Sequence, residues 1–167
     1  MKRASLVALT VIIGLSLSLQ TAWAQAPKPP SEEKKVVLVQ GSQAWTNTGI
    51  RLRAGDKVSI SASGQVCFSG GAKDSAVGPT GWPVANYKQA WPNDWISCDD
   101  PAPGENHAGL LAEVGGQTFF VGSKISFTGK TGSLMLGIND CTFTGEYHNT
   151  GKYSVVITVR RPQPSGH

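Results

Sequence analysis

Three features of the sequence predict an all-β fold, a jelly-roll-like antiparallel β-sandwich. Short apolar runs recur with partial two-residue alternation, glycine-centred reversals separate them, and no amphipathic helical period is found beyond the N-terminal segment. The runs fall at residues 36–39, 48–53, 57–62, 65–68, 109–114, 118–121, 124–127, 133–138 and 152–159. Reversals are expected at Ala54-Gly55-Asp56, Ser63-Gly64, Gly115-Gly116, Val121-Gly122-Ser123 and Gly129-Lys130-Thr131-Gly132, where glycine supplies the positive φ that tight turns need. Nine strands in one uniform stretch make two packed sheets the simplest way to bury the apolar faces.

The ends of the chain read differently. Met1-Lys2-Arg3, an apolar segment from Leu6 to Leu19 and the small-residue site Ala22-Trp23-Ala24 describe a secretory signal peptide over residues 1–24, cleaved before Gln25. The apolar part is too short for a transmembrane span, and none follows. Residues 25–35, rich in proline and charge, read as a flexible leader; residues 36–159 form the domain; residues 160–167 read as a flexible tail. The expected location is secreted or periplasmic. The signal peptide has no lipobox cysteine, which argues against a lipid anchor.

Charge and cysteine content narrow the function classes. The full chain carries +4; processing removes Lys2 and Arg3 and no acidic residue, leaving +2. That balance indicates no nucleic-acid groove. Cys67, Cys98 and Cys141 remain after processing, so an exported protein is expected to hold one disulfide and one thiol, with three pairings open. Neither a C-x-x-C motif nor a zinc-type Cys/His spacing occurs.

Two connections carry the chemistry. Residues 137–151, set between two strands, hold Asn139, Asp140, Glu146 and Asn149 with the loop carbonyls, the hard oxygen donors that calcium takes six to eight at a time. An ordinary polar turn uses the same residue types. Residues 69–108 show no strand pattern yet contain Trp82, Tyr87, Trp91 and Trp95 among prolines and glycines. Long connections inside a compact domain are usually functional, and aromatic rings stack well on the apolar face of a pyranose. The plainer reading makes these rings a small satellite core, with Trp45 core as well. Asn93, Asp94, Asn106 and His107 in the same connection could meet sugar hydroxyls, although no spacing selects among them and His107 also reads as a plain loop histidine.

In order and spacing, several segments resemble the small bacterial LecA-type calcium-dependent galactophilic lectins. They are Ala54-Gly-Asp-Lys-Val-Ser-Ile-Ser-Ala-Ser-Gly64, the run 65–68, Gly78-Pro-Thr-Gly81, Gly109-Leu-Leu-Ala-Glu-Val-Gly115, and Asn139-Asp140 followed by Asn149-Thr-Gly-Lys-Tyr-Ser-Val-Val-Ile157. The resemblance spans nearly all of residues 36–159 and implies a galactose-binding-domain-like sandwich with one calcium at its end. It implies that the ion is held by the carbonyls of Phe68 and Thr144 and the side chains of Asp140 and Asn149. It further implies that Asp140, His148 and Asn149 meet the sugar and that the chain forms a homo-oligomer. Two departures stand out: His148 replaces an amide, and the calcium loop is one residue longer, introducing Glu146 and Tyr147. The family's short sugar-contacting motif after Gly78-Pro-Thr-Gly81 is also replaced by the longer tryptophan-bearing connection, which makes Trp82, Trp91 and Trp95 candidate sugar platforms.

The expected function is therefore that of a secreted, non-catalytic, calcium-dependent lectin for a galactose-containing glycan. The alternative is a calcium-stabilised interaction or structural module of the cell envelope without sugar binding. An enzyme is disfavoured, because no nucleophile elbow or catalytic zinc motif is present. The carboxylate grouping Asp99-Asp100 with Glu105 is the nearest approach to a glycoside-cleaving pair.

Overall fold

The computed structural model describes residues 30–68, 75–83, 85–86, 100–140 and 149–162. Among the described residues nine strands run in chain order: β1 (Ser31–Gln40), β2 (Trp45–Leu52), β3 (Lys57–Cys67), β4 (Ala76–Val77), β5 (Leu110–Val114), β6 (Gln117–Phe120), β7 (Lys124–Thr128), β8 (Gly132–Ile138) and β9 (Thr150–Arg161). One sheet has the order β1-β9-β3-β4, with β7 also on β3, and the other has the order β2-β8-β5-β6. Every pairing is antiparallel. The predicted antiparallel sandwich is therefore the observed fold. Among the described residues no helix is long and apolar enough to cross a membrane.

Alternation decides which face is buried. Tyr153, Val155, Ile157 and Val159 of β9 point inward with Val58, Ile60 and Val66 of β3; Leu134, Leu136 and Ile138 of β8 oppose them from the second sheet with Leu110, Ala112 and Val114 of β5. A one-residue slip of β9 would turn that inward row out to solvent, so the hydrophobic pattern fixes the register. Gly115-Gly116, both at positive φ, close the β5–β6 hairpin as a two-residue turn.

The sequence-based boundaries need three corrections. Ser63-Gly64 is not a reversal: β3 continues through it, pairing Ser63 with Ser154 and Gly64 with Tyr153. Gly64 has a φ of 103°, and a Cβ there would lie 2.5 Å from the Lys152 carbonyl oxygen, so the glycine is needed for close strand approach. Next, β1 begins at Ser31 and β9 reaches Arg161, so part of the expected leader and tail is strand. Its cross-strand charges fit, Arg160 with Glu32 and Arg161 with Glu33, each at 2.7 Å. Finally, the two-residue β4 is too short to leave a period in the sequence.

Candidate functional site

At one end of the sandwich lie the C-terminal ends of β3 and β8, the start of β9 and the approach to β5. The segment leading into β5 is bound to the end of β8 by two backbone hydrogen bonds, Ala108 N to Asn139 O at 2.6 Å and Asn139 N to Gly109 O at 2.8 Å. His107 and Trp82 exchange backbone hydrogen bonds of 2.7 and 2.9 Å, which brings the 78–82 turn alongside. Gly81 permits this approach: its φ is 73°, and a Cβ would lie 2.6 Å from both His107 O and Gly109 N. Ala108 itself sits at φ 56°, the left-handed region that a non-glycine residue enters only at a cost of about 1–2 kcal/mol. Such strain tends to accompany functional loops.

Buried polar side chains hold this assembly. The Asn139 amide accepts from Ala102 N at 2.9 Å and faces the carbonyls of Ala102, Glu105 and Asn106 at 3.0–3.2 Å. Asn139 was one of the expected oxygen donors to a cation, but its side chain instead anchors the 102–106 segment. The Tyr153 hydroxyl, under the same segment, lies 2.8 Å from Ala108 O and 2.9 Å from Gly78 O, carbonyls that share its single proton. Burial, and secondarily the adjacent Cys67, push this phenol well above its ordinary pKa.

The side chains that converge are Asp100, His107, Asp140 and Asn149, over a floor made by Phe68 and Trp82. His107 is 4% exposed. Its Nδ1 lies 3.3 Å from Asp100 Oδ2 and its Nε2 lies 3.4 Å from Asp140 Oδ1. The second oxygen of Asp140 accepts from Asn149 Nδ2. The Phe68 ring packs edge-on against the imidazole, with centroids 5.0 Å apart, and lies 5.3 Å from the Trp82 ring. The Phe68 carbonyl accepts from the Ser75 hydroxyl, which leaves its second lone pair for another partner.

Of the residues expected to bind metal, Phe68, Asp140 and Asn149 are brought together, and Thr144 lies outside the described residues. Of those expected to touch sugar, Asp140 and Asn149 are in the cluster and half-buried Trp82 is in its floor; His148, Trp91 and Trp95 lie outside the described residues. The Asn106 amide donates to Thr80 O at 3.0 Å and braces the turn. Sequence reasoning underrated His107 and Asp100. Their spacing on an irregular segment has no period to mark them, and only the pairing of residues 100–109 with the end of β8 brings them to Asp140.

The donor set suits a cation. One atom each from Asp100, His107 and Asp140 fall within 4.8 Å of one another, and Asp100 Oδ1 is buried with no hydrogen-bond partner. An unpartnered buried carboxylate oxygen is costly unless positive charge reaches it. The Asp140 carboxylate, the Asn149 amide and the Phe68 main-chain carbonyl are oxygen ligands of the kind calcium takes, so these residues fit that ion.

A solved structure described as the N-terminal domain of EclA, a PllA-like lectin, shares the fold: TM-score 0.51, 24% identity, covering 75% of this chain and 95% of that one. No family model matches the sequence, and no curated protein matches it significantly.

Proposed function

We propose that this protein is a secreted, calcium-dependent carbohydrate-binding protein that does no chemistry on its ligand. The carrying observation is the convergence of Phe68, Asp140 and Asn149 at one end of a lectin-like sandwich, beside an aromatic floor. Asp140, Asn149 and the Phe68 carbonyl would hold the ion, joined by Thr144. Calcium, when bound, supplies a Lewis-acidic point for two neighbouring sugar hydroxyls. Asp140 would also accept a hydroxyl proton in a hydrogen bond, Asn149 and His148 would meet the sugar edge, and Trp82, Trp91 or Trp95 would offer the stacking face. Galactose-containing glycans are the first ligands to test. Because little area is buried by one monosaccharide, useful affinity would come from several sites acting together, which favours a homo-oligomer.

A glycan array probed with the mature chain in calcium and in EDTA tests this reading. Binding to a defined glycan class that disappears in EDTA is the expected result. A calcium-induced rise in melting temperature with no glycan bound would move the assignment to a calcium-stabilised interaction module; the exposed β1 residues Val36 and Leu38 would then be the surface to examine.

Export has a covalent counterpart. Cys67 is a free thiol, while Cys98 precedes Asp100 by two residues and Cys141 follows Asp140 directly. The disulfide expected of an exported chain would then join Cys98 and Cys141 once the signal peptide is removed before Gln25. A non-reduced peptide map should recover that linked pair, and a link through Cys67 would refute it.

A further inference from the structure

We propose that Asp100, His107 and Asp140 form a site for a borderline divalent transition ion, with zinc as its type, ligated by His107 Nε2 and Asp140 Oδ1. The site shares Asp140 with the calcium reading but depends on the imidazole, which calcium does not favour.

The geometry points to an ion in two ways. With hydrogen on Nδ1, where Asp100 Oδ2 lies at 3.3 Å, the Nε2 lone pair faces Asp140 Oδ1. In that tautomer a cation between the lone pair and the carboxylate oxygen relieves their repulsion. Their separation is 3.4 Å. It matches two ligands each about 2.0–2.1 Å from one tetrahedral ion, whose edge is about 3.3 Å. The arrangement of carboxylate, imidazole and metal is the usual one, with the carboxylate behind the ring fixing its orientation. Asp100 is thus a positioning residue, and its buried unpartnered Oδ1 adds negative charge to the pocket. The pocket wall also suits such an ion: Phe68 packs edge-on against the imidazole and limits its rotation. With two protein ligands the ion would keep open positions for water or for hydroxyls of a bound molecule.

Zinc, calcium and cobalt(II) titrations of the full mature chain, read by melting temperature and calorimetry, test the proposal. Zinc should raise the melting temperature of the wild type. His107→Gln should abolish the zinc response and keep the calcium response. Asp100→Asn should weaken zinc roughly 10- to 100-fold and leave calcium affinity unchanged. The cobalt complex should show ligand-field absorption without a thiolate charge-transfer band. No zinc response in the wild type, a full zinc response in His107→Gln, or a thiolate band reporting cysteine ligation would each overturn the assignment. Should His107→Gln fail to fold, the Asp100→Asn affinity and the cobalt spectrum decide. The two ion readings fail separately: loss of the calcium response alone refutes the proposed function and leaves this site standing.

Discussion

Each end of the sandwich holds an aspartate, Asp56 buried and Asp140 partly buried, and the two are held in opposite ways. Asp56, 2% exposed, closes the β2–β3 turn by accepting from Arg53 N at 2.9 Å while its own N–H donates back to Arg53 O at 3.1 Å. Arg161, paired with Glu33, stands 3.8 Å away. That end is completed by neighbours in sequence and by one adjacent strand. At the other end Asp140 is held by His107 and Asn149, Asp100 reaches in from a third segment, and a buried carboxylate oxygen has no partner. A carboxylate satisfied by its own turn is structural. Carboxylates gathered from distant segments, with one buried oxygen of Asp100 unpartnered, suit a cation, and that difference separates a cap from a candidate site.

The comparison breaks most readily at Asn139. Asn139→Ala leaves Ala102 N and three carbonyls without the amide, and should cost about 3 kcal/mol of stability and reduce zinc affinity by loosening Asp100 and His107. Denaturant unfolding with zinc titration checks both. Wild-type zinc affinity in a destabilised Asn139→Ala would show that the 100–107 segment does not support the site.

Asp140→Ala sharpens the contrast. In calcium at about a hundred times the dissociation constant it should forgo the roughly 2.7 kcal/mol that binding supplies, while melting near the wild type in EDTA. Normal calorimetric calcium affinity would remove Asp140 from the site.

Asp56→Ala is the matched control at the opposite end. The expected loss is about 1–2 kcal/mol, equal in calcium and EDTA, with the calcium-induced melting shift unchanged. A reduced shift would mean that the two ends are coupled.

The smallest effect is alkaline. The Tyr153 phenol keeps its proton in the folded state at pH values where the unfolded chain, with an ordinary tyrosine pKa of about 10, has released it. The unfolded state then binds fewer protons, so stability falls as pH rises above about 10, by up to about 1.4 kcal/mol per pH unit. Denaturant unfolding across that range should show the slope in the wild type and lose it in Tyr153→Phe. An equal slope in both would place its origin elsewhere.

Much of the fold was legible because sheet periodicity is local. The alternation in β9 and in the first part of β3, and the Gly115-Gly116 turn, each state their structure within a few residues. Gly64 was misread because a glycine admitted for close strand approach looks in sequence like a glycine admitted for a turn. The start of β1 and the end of β9 were obscured by charged residues, since a strand can carry charge and still pair. At the candidate site, loop composition and a family resemblance singled out Asp140 and Asn149, and the structure brings their side chains into contact. His107 was not, because neither its neighbours nor its spacing distinguish it from a loop histidine.

The sequence alone therefore determined the two-residue periodicity and the turn set by the Gly115-Gly116 pair, both matters of contacts within a few residues. Only the tertiary structure decided that Asp100 and His107 reach Asp140, that Asn139 anchors a loop, and that Trp82 lies against Phe68. Those outcomes depend on which strand ends meet at one end of the sandwich, and that is settled by burial of the shared core.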